Sequence, residues 1–295
     1  MRYIAKLLIV ISILLLQSSF SMERIDYRKA RFKNVCKVLK DDVLLYLIFV
    51  DSKETSPWTE FDIQSTLDSM ELAVAWLEKQ AATHNIKLNI ITDYYIGPSY
   101  TTIKKKLPEG SVIQSVYKPN LRQGLLNLND WADKVAREAG NAIQPGKKDG
   151  IPDIDKPRNK ERLIAYLRDK YNVESVALLY MVNNYYKDDI SISVNTMNDN
   201  DVEFSIVSYK YPSEIAHNML HLYGAADLYE TPFRKNKNKI ELARQLYALD
   251  VMQDPYAKQI NKLNLSPFTR YLIGWTDTPD PEYKDLLKDN VIISF

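Results

Sequence analysis

Cysteine and glycine are scarce in this chain of 295 residues, and its charges almost cancel. Because Cys36 is the single cysteine, no internal disulfide can form, and stability has to come from a buried core or a bound metal. Eight glycines offer little from which to build phosphate-binding loops, and neither G-x-G-x-x-G nor G-x-x-x-x-G-K-S/T occurs. The 39 basic and 38 acidic residues give a formal charge of +1, which argues against nucleic acid as a partner.

The most apolar stretch lies at the N-terminus and is too short to span a bilayer of about 30 Å. Two basic residues precede an almost wholly apolar run from Leu7 to Leu16, and Ser19 and Ser21 follow it. This arrangement is typical of a cleaved secretory signal peptide. We therefore predict that residues 1–21 are removed and that the mature chain is periplasmic or extracellular, without a membrane segment. An uncleaved N-terminal anchor is the alternative.

Downstream, the apolar patterning alternates between strand and helix. Continuous β-rich apolar runs predict buried strands, and apolar residues at helical spacing predict amphipathic helices. The predicted strands are Val43–Val50, Ile86–Tyr95, Val173–Val182, Ile190–Asn195 and Val202–Tyr209, and the predicted helices are Phe61–Thr83, Leu128–Ala142 and Lys160–Tyr171. This alternation predicts an α/β fold with a mixed, largely parallel sheet covered by helices.

Two polar segments are predicted to be loops. The lysine-rich segment 234–239 is interpreted as a solvated loop in preference to a binding patch. The acidic sequence from Asp149 to Asp155, inside a loop predicted over Pro145–Pro157, resembles half of a calcium-binding loop. Because the EF-hand spacing is not met and two lysines precede the acids, a plain acidic turn is the favoured interpretation.

One short segment carries most of the chemical information. Pro212 and Ser213 indicate the start of a helix, and Gly224 indicates its end. His217 and His221, two of the three histidines in the chain, are spaced i,i+4 within it. That spacing places both imidazoles one turn apart on the same helix face, where they can bind one metal ion.

Asp227, which follows the predicted turn, is the candidate third ligand. Two imidazoles and one carboxylate would leave the fourth tetrahedral position open, as in catalytic zinc sites. The alternative is that two histidines fell by chance on a buried helix. Ordinary residue frequencies give an accidental match to this four-residue pattern in about one chain in a thousand.

The segment resembles the H-E-x-x-H-x-x-G-x-x-H/D zinc signature of the metzincin metallopeptidases, in the variant whose third ligand is aspartate. The resemblance implies that Zn²⁺ is held by His217, His221 and Asp227 and that the substrate or ligand is a peptide or protein. It also implies a Met-turn beneath the metal, for which Met252, within Asp250–Pro255, is the candidate.

The same resemblance implies a two-lobed architecture. An upper lobe of mixed sheet and long helices would occupy residues 22–224 and end at the zinc helix. A lower lobe would occupy residues 225–295, with the third ligand, the Met-turn and a short helix within Leu265–Trp275. The cleft would lie between the two lobes.

One position departs from the family pattern, because Asn218 stands where the metzincins have glutamate. That glutamate takes a proton from the zinc-bound water and passes it to the leaving amine, a role worth about 10² to 10⁴ in rate. An amide cannot do this at neutral pH. Tyr256 is a candidate donor to an oxyanion. Glu214 lies one turn earlier on the same helix face, but its side chain is expected to point away from the metal. It is therefore interpreted as an acid that complements the helix dipole in the first turn, in preference to a replacement base.

These features support three interpretations. The first is a secreted zinc metallopeptidase-like protein whose hydrolysis of peptides is weak or absent. The second is a pseudopeptidase that keeps its zinc and cleft but serves to bind a peptide or protein. The third is a metal-free globular protein with a decayed site. Asn218 is the feature of the sequence that separates the first two.

Overall fold

The computed structural model describes most of the chain between residues 25 and 289. The predicted signal peptide and the predicted Pro145–Pro157 loop with its acidic sequence lie outside the described residues. In the described part, no helix combines the length and the apolar composition needed to cross a bilayer. The described residues are 25–26, 36, 38–53, 55–97, 102–108, 121–142, 159–183, 190–194, 202–208, 211–231, 236–256, 258–279 and 281–289.

A six-stranded mixed sheet forms the centre of the described structure, in the order β3-β2-β5-β7-β6, with β4 pairing with the end of β2. All neighbours are parallel except β6, which runs antiparallel to β7 at one edge. The predicted α/β class with a mostly parallel sheet is confirmed. The strands are β1 (Ile25–Asp26), β2 (Asp41–Asp51), β3 (Leu88–Tyr95), β4 (Ile103–Lys104), β5 (Ser175–Val182), β6 (Ser191–Val194), β7 (Phe204–Val207) and β8 (Lys288–Asp289), and β1 pairs with β8 apart from the main sheet.

The predicted strands are found, with differences at their ends. Ile86 was expected in β3, but its N–H donates to the Ala81 carbonyl and closes the end of the preceding helix. The last predicted strand, Val202–Tyr209, corresponds to β7, which spans only Phe204–Val207. The eight residues Val43–Val50 of β2 are all buried, as a continuous apolar run predicts for a central parallel strand.

Six α-helices lie in the described residues, and three of them were predicted outright from apolar periodicity. They are α1 (Glu60–Thr83), α2 (Leu121–Ala142), α3 (Asn159–Tyr171), α4 (Pro212–Leu222), α5 (Lys237–Leu246) and α6 (Pro267–Leu272), with 3-10 turns at Ile260–Lys262 and Pro281–Leu286. Helix α2 begins at Leu121 and not at the predicted Leu128. The short helix predicted within Leu265–Trp275 is α6, which begins after the Ser266 cap.

The loop prediction for residues 234–239 is wrong from Lys237 onward, because α5 begins there. The Asn236 side chain accepts a hydrogen bond from the Lys239 N–H and caps the helix. Only Ile240 and Ala243 of this helix are buried. Two apolar positions in a lysine-rich sequence are too few to produce a visible helical period.

The two faces of the sheet are covered by different helices. Alternate residues of β2 point to opposite faces, so Leu45 packs in a core with α1 and α4, whereas Leu44 packs in a core with α2 and α3. The first core continues beyond Gly224 into the C-terminal segment, where it includes Met252 and Phe268. The predicted division into lobes at Gly224 stays a prediction.

The end of α1 is joined to α6 by a polar contact. Arg270 Nη1 donates to His84 Nδ1 at 2.8 Å, and His84 is the residue that follows α1. Burial and the nearby Arg270 cation both lower the pKa of His84. The contact requires neutral His84, because a protonated imidazole cannot accept a hydrogen bond.

Mild acid should therefore destabilise the wild-type protein more than a His84→Gln variant. Unfolded His84 takes up a proton near pH 6.5, whereas folded His84 stays neutral to lower pH. Its contribution to stability is thus complete above about pH 6.5 and is lost as the pH falls toward the folded pKa. We expect urea unfolding at pH 7.5 and 5.5 to show the smaller loss of unfolding free energy in the glutamine variant, whose amide oxygen still accepts from Arg270. Equal losses in the two proteins would contradict this role.

Candidate metal centre

The helix that carries both histidines starts and stops where the sequence predicts. Pro212 occupies the first turn of α4, where its missing N–H has no partner to lose. Gly224 has a φ of 95°, a conformation that residues with a side chain rarely adopt. The Ala225 N–H donates to the Leu220 carbonyl at 3.0 Å, so the chain reverses directly after the helix.

The structure brings the three predicted ligands together. The Nε2 atoms of His217 and His221 lie 2.9 Å apart, and Asp227 Oδ1 lies 3.3 Å and 3.1 Å from them, respectively. With metal–ligand bonds of about 2.0–2.1 Å, the donor atoms of a tetrahedral zinc site are about 3.3 Å apart. The three side chains therefore have nearly the spacing that one zinc ion requires.

The hydrogen positions on both imidazoles suit metal binding. His217 Nδ1 lies 3.1 Å from the Val251 carbonyl, and His221 Nδ1 lies 2.9 Å from the Ala225 carbonyl. Because a carbonyl only accepts, each Nδ1 carries the hydrogen, and each neutral ring turns an Nε2 lone pair toward the other. Two facing lone pairs repel unless a proton or a cation lies between them. The residues present therefore fit a metal ion.

The charges at the site are strongly coupled. Burial lowers the pKa of His217, and the neighbouring His221 lowers it further. Burial also acts to lower the pKa of His221, but Asp227 more than offsets this, so that pKa is raised. Burial acts to raise the pKa of Asp227, yet the two imidazoles hold it well below its usual range. Zinc would replace the proton that His221 otherwise shares with Asp227, so its affinity should fall in acid.

Met252 lies in a tight turn that makes backbone contact with the segment after Asp227. The turn is closed by a hydrogen bond from the Gln253 N–H to the Asp250 carbonyl at 2.9 Å, and the Met252 side chain is fully buried. The Leu228 N–H, directly after the third ligand, donates to the Met252 carbonyl at 2.9 Å. The predicted Met-turn residue is thus in the backbone network that holds the site.

Asn218 is fully buried between α4 and the edge strand β6. Its Nδ2 donates to the Glu214 carbonyl at 2.9 Å and to Ser191 Oγ at 3.0 Å, and its Oδ1 accepts from Ser193 Oγ at 3.3 Å. Both polar atoms of the amide therefore join the helix to the strand. Sequence reasoning did not identify these serines.

The structure places the other two candidates toward the start of α4. The Tyr256 ring is half exposed and meets the Tyr211 ring edge-on, with centroids 5.8 Å apart, just before the helix begins. Glu214 is buried in the first turn, whereas His217 and His221 occupy later turns of the helix.

No family model and no curated protein matches this chain. The candidate site consists of three convergent ligand atoms, two imidazoles that each contact a backbone carbonyl, and the turn that contains Met252. The resemblance to metzincins rests on the residues of Pro212–Tyr229 and on Met252.

Replacing Asp227 and Glu230 in turn should show which of these two acids contributes to zinc affinity. If Asp227 binds the metal, Asp227→Ala should weaken zinc affinity by about 10²-fold or more, beyond the 10- to 100-fold typical of residues that only support ligands. Glu230, three residues later, is exposed as predicted and provides the matched control. A chelator-competition titration measures both variants. Equal losses for Asp227→Ala and Glu230→Ala would mean that the third ligand lies elsewhere.

Proposed function

We propose that this chain is an exported zinc-binding protein of the metallopeptidase type whose hydrolysis of peptides is weak or absent. The observation that carries the proposal is the convergence of His217 Nε2, His221 Nε2 and Asp227 Oδ1 within 3.3 Å of one another. Zinc held by these atoms would supply a Lewis acid that polarises a carbonyl and acidifies water. Export rests on the sequence of residues 1–21.

The resemblance to metzincins is supported by several features of the fold. A mixed sheet precedes the helix with both histidines, the chain turns at Gly224, and Asp227 is presented from outside that helix. A turn containing buried Met252 then makes backbone contact with the segment of the third ligand. We propose on this basis that the ligand or substrate is a peptide or protein.

The chain's own residues account for weak turnover. An efficient peptidase needs a base that accepts a proton beside the metal and returns it to the leaving amine. Asn218 has no basic electron pair for that purpose, and its amide is committed to Glu214, Ser191 and Ser193. Serine hydroxyls are not bases at neutral pH either. Asn218 and the two serines therefore hold α4 against β6 but cannot act as a general base.

The same contacts favour a second function, that of a binding module. The Asn218 amide links α4 to β6 by hydrogen bonds and so makes the site more rigid. A rigid site favours binding, because less conformational entropy is lost when a ligand binds. On this alternative, zinc would hold the site together and provide a coordination position for a carbonyl or carboxylate of a bound peptide.

Metal content and proteolysis measured on the same preparation test the proposal. We expect the mature chain to hold about one zinc and to hydrolyse casein or gelatin slowly or not at all. A zinc-free protein after reconstitution would contradict the metal site. Hydrolysis at the rate of an ordinary metallopeptidase would contradict the assignment of Asn218 as a missing base.

A further inference from the structure

Asp250 is a buried carboxylate that the proposed chemistry does not use. It is 1% exposed, follows α5 and opens the turn that contains Met252. One carboxylate oxygen accepts from the Met252 N–H at 2.7 Å. The other accepts from the Ser266 N–H at 2.8 Å and from Thr269 Oγ1 at 2.6 Å, at the start of α6. Three donors therefore converge on one buried acid.

The Met252 N–H belongs to the same peptide unit as the Val251 carbonyl. In a planar trans peptide these two groups point in opposite directions. Asp250 holds the N–H side of this unit, and His217 Nδ1 meets its carbonyl side at 3.1 Å. A continuous series of contacts thus runs from Asp250 through one peptide to the first metal ligand.

This series has two physical consequences for His217. It fixes the orientation of the carbonyl, and the carbonyl in turn fixes the ring and keeps the hydrogen on Nδ1. A negative charge on the N–H side of a peptide also polarises the unit and strengthens its carbonyl as an acceptor. Carboxylates that contact ligating histidines directly orient them and raise their basicity in the same way.

We infer that Asp250 is the positioning residue of the metal site, acting on His217 through the peptide between Val251 and Met252. The next carbonyl in the turn, that of Met252, accepts from the Leu228 N–H beside the third ligand. Asp250 therefore sets the position of two ligand segments, and through Ser266 and Thr269 it ties them to α6. The inference rests on the proposed metal site.

Asp62 offers a matched control, because it is another buried aspartate that accepts several hydrogen bonds at the start of a helix. It is 2% exposed and caps the start of α1, where it accepts from the Thr59 side chain at 2.7 Å and from Asn183 Nδ2 at 3.1 Å. Asp62→Asn and Asp250→Asn each exchange a buried acceptor for an amide of equal size. Both should lower the stability of the zinc-free protein.

The test compares zinc affinity and the position of the His217 ring hydrogen in these two variants. Chelator competition with zinc alone should show a 10- to 100-fold weaker affinity for Asp250→Asn. Asp62→Asn should match wild type within about a factor of two. Nitrogen-15 NMR of the zinc-free proteins, at a pH where both imidazoles are neutral, should show hydrogen on Nδ1 of His217 in wild type and Asp62→Asn. A mixture of the two ring forms is expected in Asp250→Asn.

The outcomes separate this inference from the proposed function. Wild-type zinc affinity in a folded Asp250→Asn protein would overturn the inference and leave the metal site standing. Failure of the wild type to bind zinc would overturn the proposed function, and the NMR comparison would then decide the inference. If Asp250→Asn does not fold, Thr269→Val removes one of the three donors at nearly constant volume. It should weaken zinc binding in the same direction, and unchanged affinity there would overturn the inference.

Discussion

An Asn218→Glu variant loaded with zinc should hydrolyse peptides about 10² to 10⁴ times faster than wild type, measured as kcat/KM. This gain corresponds to roughly 3 to 5 kcal/mol of transition-state stabilisation. The substitution supplies an ionisable carboxylate at the position that the metzincin resemblance assigns to the general base. A library of peptide substrates and zinc-saturated protein make the comparison independent of substrate preference and metal loading.

The contacts of Asn218 determine how the experiment should be controlled. A carboxylate can accept from Ser191 and Ser193, but it cannot donate to the Glu214 carbonyl as the amide does. Asn218→Gln has the length of glutamate and keeps a donor, but it cannot accept a proton. We expect no gain for Asn218→Gln, so that any increase seen only with glutamate reports the base and not the added methylene.

Two results would contradict this explanation of weak activity. A folded, zinc-saturated Asn218→Glu protein without any gain would favour the binding-module function, with a site no longer shaped for turnover. Ordinary peptidase rates in wild type would mean that another residue supplies the base. Glu214 would then be the first to test, because it is buried one turn before Asn218, and Glu214→Gln should abolish the activity.

The sheet was predictable because burial on both faces leaves a continuous apolar run. Val43–Val50 and Val173–Val182 carry that pattern, and they correspond to the central strands β2 and β5 of the sheet. Helix α5 was not predictable in this way, since it covers the core with only Ile240 and Ala243. The strand ends were also missed, because a backbone contact such as Ile86 to Ala81 leaves no trace in hydropathy.

The metal ligands were predictable for a different reason. Helical geometry alone places His217 beside His221. Gly224 reverses the chain directly after the helix, and Asp227 follows three residues later, so it can return to the two imidazoles. The support of His217 depends on tertiary contacts and has no such local pattern. An aspartate two residues before Met252 is compatible with an Asx-turn, in which its side chain accepts the N–H two residues on. That signal was available for Asp250, but its connection to His217 across the fold was not.

Zinc should stabilise the wild-type protein, and removal of either candidate histidine ligand should remove most of this effect. Free zinc at 100 times Kd adds about 2.7 kcal/mol to the free energy of unfolding. For a chain of this size, that corresponds to a rise in Tm of about 5 °C. His217→Ala and His221→Ala should each lose most of the rise, since each removes one of three ligands.

The third histidine of the chain supplies the control for this measurement. His84 contacts Arg270 at the end of α1, so His84→Gln should keep both the zinc-dependent rise in Tm and the stoichiometry of about one zinc per chain. An equal rise in the wild type and in His217→Ala would mean that zinc binds folded protein at another place. The donor atoms of His217, His221 and Asp227 lie within 3.3 Å of one another, so the facing Nε2 lone pairs repel unless a shared proton or a metal ion lies between them. Relief of that repulsion is a direct physical reason for zinc to stabilise this fold.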